Sequence, residues 1–409
     1  MKIVIVNSYF SFYGGSAVAA YDLYKLLIQK GHEVYFFATD RKPYFIENYE
    51  YAKYFPYELS KPSDYIKHPI RFYKNVDAKK NFEKLLDEIK PDIVHCHVLY
   101  QLTSTILDAC YKRNIPVVKH LHDATIICPA FSLLKADNSL CDNVLCSGYK
   151  YWNCITNNCV VRNLEKSTRF ALYNVFNQTK KHHSRISAFV TPSNAIKNLV
   201  VKSKTVIPAE KIHVINNFIN SNTIKNTDEK QAKYFLFVGS LINIKGVQNI
   251  LKAFEKLPQE IELHIVGSGK NEPDYKKFVS DRNMTNIKFL GYLDRADIEN
   301  EYNNCIAVIQ SSIFYEAFGL TVIEGFAHSK PVVAAQSGAL PELVQNNRNG
   351  LTYSPLNTDE LSDKILYLYK NPEAAMLMGK QARKDYLEKY TEESFYRSII
   401  DVYNKVLER

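Results

Sequence analysis

The chain opens Lys2-Ile-Val-Ile-Val-Asn7, runs through the loop Ser8 to Gly15 with Gly14-Gly15 at its end, and continues as a helical pattern to Gln29. Gly31 then precedes Glu33-Val-Tyr-Phe-Phe-Ala-Thr39. The two apolar runs do not alternate with polar residues, as expected of strands covered by helices on both faces. Strand, glycine-containing loop, helix and strand in that order make a parallel βαβ unit.

Outward from this unit the alternation continues. A helix is expected near Ala78 to Ile89, a strand at Asp92 to His95, a helix near Thr103 to Arg113, and strands at Pro116 to Leu121 and Ala188 to Thr191. A second series follows the polar stretch Asn220 to Lys233. It has strands at Phe235 to Val238, Glu262 to Val266, Ile287 to Leu290, Ile306 to Ile309 and Pro331 to Ala334, with helices at Gly246 to Leu257 and near Thr321 to Ala327. Thr358 to Tyr369, Ala374 to Tyr390 and Glu392 to Leu407 are helical by pattern, with Pro372 marking a break. The fold class is therefore α/β, two Rossmann-like doubly wound domains facing a central cleft. The expected boundaries are 1–217 and 218–390, with 391–409 a helix bracing the two.

With 409 residues, 46% of them hydrophobic, 23% charged and 13% aromatic, the chain can build two ordinary cores, and disordered and fibrous classes are excluded. Its apolar runs fall far short of the roughly 20 residues of a bilayer span. The amino-terminal run is also too short for a signal-peptide core, so a cytoplasmic location is expected. The net charge of +9 is uneven: residues 1–217 carry 29 basic and 18 acidic side chains, the remainder 23 and 25. Basic residues such as Lys67, Arg71, Lys74, Lys180 and Lys181 mix with aromatics in the amino-terminal half. Two readings stand, solvated helices or a peripheral site on an anionic membrane surface. Nucleic acid is not expected as a partner, because no recognition motif accompanies the charge.

The segment richest in chemistry is Ser311-Ser-Ile-Phe-Tyr-Glu316-Ala-Phe318-Gly319-Leu320-Thr-Val-Ile-Glu324-Gly, followed by Lys330-Pro-Val-Val. Two carboxylates eight residues apart fall just after a strand and about a turn into the next helix, where free N–H groups at the helix start suit phosphate. This segment resembles the E-x7-E signature of retaining glycosyltransferases with the GT-B fold, and the chain as a whole is similar to family 4 of those enzymes. The resemblance implies that Glu316 contacts donor-sugar hydroxyls beside the reacting carbon, while Glu324 accepts hydrogen bonds from the ribose. Phe237-Val-Gly239-Ser240-Leu-Ile-Asn-Ile-Lys245-Gly resembles the family's diphosphate-binding turn, with Lys245 as one cation and Ser240 where an arginine is usual. His122, in His120-Leu-His122-Asp123, resembles the family's amino-domain histidine near the donor sugar. Asp123, which could equally cap the loop, and Gly14 are placed on the acceptor side, and Gly15 with the donor.

The resemblance implies transfer from a nucleotide sugar, most simply a UDP-sugar, to a saccharide or lipid-linked saccharide acceptor in cell-surface polysaccharide assembly. No cofactor is required. The sequence contains no Asp-x-Asp, so a catalytic divalent ion is not expected. A nucleotide-sugar epimerase of the same fold and a non-catalytic two-domain sugar-binding protein are the alternatives. Five of the eight cysteines, Cys128, Cys141, Cys146, Cys154 and Cys159, cluster in the insertion 128–159. Structural zinc on the last four, or free thiols, would account for them.

Overall fold

In the computed structural model, which describes residues 1–10, 15–39, 69–137, 139–141, 144–160, 162–219 and 234–408, the chain divides into two compact units. Met1–Ile215 with Tyr396–Arg409 forms the first and Asn216–Phe395 the second.

The first unit is built on strands β1 (Lys2–Tyr9), β2 (Glu33–Thr39), β3 (Ile93–Cys96), β4 (Val117–His120), β5 (Ala188–Thr191) and β6 (Ile212–Val214), in the order β2-β1-β3-β4-β5-β6. Every pairing is parallel. Ile3 to Val6 have no exposed surface, the expected result for a strand that carries apolar side chains on both faces. Helix Gly15–Gln29 supplies the crossover, burying Ala17, Ala20, Leu23, Tyr24 and Leu27 at helical spacing.

The second unit holds β7 (Tyr234–Val238), β8 (Glu262–Val266), β9 (Ile287–Gly291), β10 (Cys305–Gln310), β11 (Val332–Ala335) and β12 (Gly350–Tyr353), ordered β12-β11-β10-β7-β8-β9 and again all parallel. The period of two along each strand sorts its residues into two cores. Phe235, Phe237, Ala307, Ile309, Val333 and Ala335 pack on one side of the sheet. Tyr234, Leu236, Cys305, Val308, Val332 and Ala334 pack on the other. Such a sheet must be wrapped by helices on both faces.

In each sheet the strand order reverses at one place, between β1 and β3 in the first and between β7 and β10 in the second. Loops leaving the carboxyl ends of the flanking strands part there, which opens a crevice where ligands of open α/β sheets bind. The expected strands form with small shifts at their ends. Two strands escape the sequence reading, β6, a three-residue strand interrupted by His213, and β12, a four-residue strand opened by Gly350. Pro372 is the first residue of helix Pro372–Lys389, so it separates two helices and kinks neither.

Candidate active site

The crevice of the second unit is framed by the loops after β7 and β10, which are stitched together. Ile313 N–H donates to the Ile244 carbonyl at 2.9 Å and the Ser311 hydroxyl to the Lys245 carbonyl at 2.7 Å. This approach explains Gly246, whose φ is +74° and where a Cβ would fall 2.0 Å from the Ser311 carbonyl oxygen. The close fit brings the Lys245 ammonium to 2.7 Å from Glu316 Oε1. The same oxygen accepts from Ser312 Oγ at 2.7 Å and from Gln310 Nε2 at 3.2 Å. The Lys245 ammonium also sits 4.8 Å above the Phe314 ring. Glu316 is buried, and among the described residues its Oε2 has no hydrogen-bond donor. The backbone of Glu316 is held from the far side, where Ala339 N–H donates to its carbonyl at 2.8 Å. A Cβ on Gly338, at φ +57°, would come 2.1 Å from that carbonyl oxygen, so only glycine admits the clamp.

Glu324 lies on helix Leu320–Ala327, opened by Gly319. One carboxylate oxygen, Oε2, accepts from the Tyr302 hydroxyl at 2.6 Å. Burial raises the pKa of Glu324, while the Tyr302 hydrogen bond and the charge of Arg295 oppose the rise. Tyr302 is itself buried, stacks on His328 at 5.2 Å, and carries no signal in the sequence beyond being a tyrosine on a polar helix. The Phe318 side chain belongs to the core and meets Tyr390 edge-on, and Leu320 packs against the same core. At Phe318, Gly319 and Leu320 only the backbone is therefore offered to a ligand. Ser240 is exposed on a turn held by Leu241 N–H to the Ser268 carbonyl at 2.9 Å, and no hydrogen bond joins its hydroxyl to the Lys245–Glu316 pair.

In the first unit the carboxyl ends of β3 and β4 carry imidazoles. His95 and His97 lie at the end of β3, His120 and His122 at the end of β4, and their rings form a stack in which His120 and His122 are 4.4 Å apart and 2° from parallel. His97 Nδ1 is 2.7 Å from His122 Nε2. Burial holds both well below the ordinary histidine value, so they are neutral at physiological pH. Beside them is a cavity of about 80 Å³ lined by His97, Lys119, His120, His122 and Asn177, among others. The half-buried Lys119 ammonium donates to the His97 carbonyl, and desolvation pushes its pKa down to about 8. Asp123 caps the turn Ala124–Ile126 by accepting from the N–H and hydroxyl of Thr125. The structure thus uses it as a cap, the alternative its position in the loop allowed. Gly15 begins its helix with open space where a Cβ would stand, and Gly14 lies outside the described residues.

Cys128, Cys141, Cys146, Cys154 and Cys159 line one small cavity, and all are free thiols. Burial raises the Cys128 and Cys146 thiols, the latter to about 12. Among the described residues, the group of His, Cys, Asp or Glu whose ligand atoms all lie within 4.8 Å of one another is His95, His97 and His120, not a set of cysteines. Helix Leu164–Asn177 turns Leu164, Leu172, Val175 and Phe176 outward as one apolar stripe, near exposed Lys166, Lys180 and Lys181. Of the basic residues read from sequence, Arg71 is paired with Asp77 at 2.7 Å, and Lys67 lies outside the described residues. No described helix is long and apolar enough to cross a membrane.

Residues 13–223 match the model of Glycosyltransferase Family 4, and residues 219–385 that of Glycosyl transferases group 1. An uncharacterised glycosyltransferase of Methanocaldococcus jannaschii is 30% identical over 193 residues, which cover 47% of this chain and 53% of that protein. The chain thus spans about half the length of that relative. An N-acetyl-alpha-D-glucosaminyl L-malate synthase of Bacillus anthracis is 22% identical over 100% of this chain and 98% of its own. Among solved structures, that of Anabaena HepE in complex with UDP superposes with a TM-score of 0.68 at 18% identity, covering 99% of this chain and 100% of that one.

Proposed function

Since the chain belongs to Glycosyltransferase Family 4 and folds as two Rossmann-like GT-B units, we propose that it transfers a sugar, with retention, from a nucleoside diphosphate donor to a hydroxyl of a saccharide or lipid-linked saccharide. The observation that carries this reading is the Lys245–Glu316 pair at the switch point of the second sheet. A cation there meets the diphosphate, and the vacant Glu316 Oε2 accepts from a sugar hydroxyl. The carboxylate of Glu324, fixed at one oxygen by Tyr302, keeps the other for the ribose. UDP is the favoured nucleotide, with support from the UDP complex of the similar HepE structure.

In this mechanism the acceptor oxygen bonds to the anomeric carbon on the face from which the diphosphate departs. The carbon–oxygen bond to the β-phosphate breaks, and a departing phosphate oxygen takes the acceptor proton. Lys245 and the backbone N–H groups at the start of helix Leu320–Ala327 stabilise the charge that develops on the leaving group. Neutral His122 is the hydrogen-bonding side chain that the first unit contributes to this reading. No side chain is asked to form a covalent intermediate.

The outward apolar stripe of helix Leu164–Asn177 with its lysines supports a second element of the reading, peripheral binding to an anionic membrane where lipid-linked acceptors reside.

Thermal unfolding with UDP, GDP, ADP and CMP, each alone and as its sugar conjugate, tests the donor assignment, because a ligand that binds only the folded state raises its stability. A rise with UDP and UDP-sugars is expected. The absence of a shift with every diphosphate would overturn the reading.

A further inference from the structure

His95, His97 and His120 are 0%, 1% and 3% exposed, yet Nε2 of His95, Nε2 of His97 and both ring nitrogens of His120 have no hydrogen-bond partner. Buried polar atoms are ordinarily satisfied, and leaving one unpaired is costly. Four such atoms in one cluster require an explanation. The ligand atoms of the three residues lie within 4.8 Å of one another. The parallel register of β3 on β4 produces this convergence: His95 pairs with Val118 and Cys96 with Lys119, so that His97, the residue after β3, follows on beside His120.

The partnered nitrogens point the same way. His95 Nδ1 is 2.6 Å from the Tyr403 hydroxyl and His97 Nδ1 is 2.7 Å from His122 Nε2. When a ring nitrogen donates such a bond, the tautomer is fixed and the lone pair is left on the other nitrogen. This is how metal-ligating histidines are held, the second nitrogen donating to a neighbour that orients the ring. Tyr403 and His122 occupy that position here.

We propose that His95, His97 and His120 form a binding site for one borderline divalent cation, zinc above all, in the first unit. An all-imidazole donor set selects zinc, nickel or copper over magnesium and calcium, which require oxygen ligands. Zinc–nitrogen bonds of about 2.0–2.1 Å in a tetrahedron require the nitrogens to close to about 3.3–3.4 Å, a ring rotation within the stack. The cavity lined by His97, His120 and His122 gives the ion its entry and room for a fourth ligand, a water. The ion would lock His97, and through it the tautomer of His122. The site is distinct from the cysteine cluster and does not depend on the glycosyl-transfer reading.

The test is zinc binding by chelator-stripped full-length protein, measured by elemental analysis after dialysis and by thermal unfolding with zinc chloride. The wild type is expected to retain one ion that His120→Gln and His95→Gln each lose, and that Cys154→Ser/Cys159→Ser keeps. Cobalt substituted at this site is expected to show ligand-field absorption without a thiolate charge-transfer band. Tyr403→Phe removes only the orienting hydroxyl and is expected to weaken zinc affinity at least about tenfold with unchanged stoichiometry. Metal content in His120→Gln equal to the wild type, or a charge-transfer band that vanishes with the cysteine pair, would overturn the site. Where a histidine variant fails to fold, unchanged zinc affinity in Tyr403→Phe overturns it instead.

Discussion

The two sheets present opposite chemistry at the carboxyl ends of strands at or beside their switch points. At the β7/β10 crevice the side chains are charged, the Lys245 ammonium against the Glu316 carboxylate, with side chains 26% and 10% exposed. At the carboxyl ends of β3 and β4 they are uncharged, four stacked imidazoles, three buried and His122 half-buried, that desolvation keeps neutral. The charged site is suited to hold an anion, whereas the neutral site is suited to donate a hydrogen bond or a lone pair without attracting a phosphate. The difference teaches that one strand arrangement can carry either kind of site, the choice resting on which residue types end its strands.

The sharpest way to break this contrast is Lys245→Ala. It removes the cation and strands Glu316 among the hydroxyl of Ser312 and the amide of Gln310. UDP affinity measured by calorimetry is expected to fall at least about 30-fold, the loss of a charge-assisted contact of about 2 kcal/mol. Glu316→Gln should do the reverse of a binding mutation. Turnover with a UDP-sugar is expected to drop about 100-fold while UDP affinity holds or rises, because Lys245 loses its internal competitor. His122→Asn should resemble Glu316→Gln in turnover and leave UDP affinity unchanged. Equal losses of affinity in all three would erase the distinction between the two crevices.

Smaller effects test the scaffolding. Gly246→Ala and Gly338→Ala each place a methyl on a carbonyl oxygen in a backbone conformation that strains any side chain. A stability loss of about 2–4 kcal/mol in urea unfolding is expected for each, with Lys245 and Glu316 displaced as a consequence.

These glycines mark where the sequence was legible and where it was not. The sheets were readable because buried parallel strands are continuous apolar runs, and the runs at Lys2 to Asn7 and Glu262 to Val266 reappear within a few residues of their expected limits. Lys245 and Glu316 were each readable as site residues from flanking motifs, but 71 positions separate them, and no local pattern announces that they pair. Tyr302 went unread for the same reason, since its hydroxyl meets Glu324 only after a strand and a turn have intervened. The histidine stack was half visible: His120 and His122 show one ring pair at a strand end, but only the register of β3 on β4 adds His95 and His97. Asp123 was ambiguous because a cap and an acceptor contact require the same residue at the same place.

The finest distinction concerns the two glutamates. Glu324 has its pKa raised by burial above the ordinary carboxyl value of 4.5. A carboxyl whose folded value exceeds its unfolded value binds more protons when folded, so its contribution to stability is full at low pH and is lost as pH rises from about 4.5 through the raised value. Under the proposed ribose contact, binding runs in the opposite sense, because hydroxyl donors prefer the carboxylate. UDP affinity is therefore expected to decline on acidification already above pH 4.5, by a few-fold. Glu324→Gln should flatten that decline at a uniformly weaker affinity. Tyr302→Phe, which removes the hydrogen bond that favours the ionised form, should move the decline to higher pH. A pH profile of UDP binding that is identical in the wild type and both variants would show that Glu324 does not meet the ribose. The nucleotide would then have to be held by backbone groups and, through its diphosphate, by Lys245.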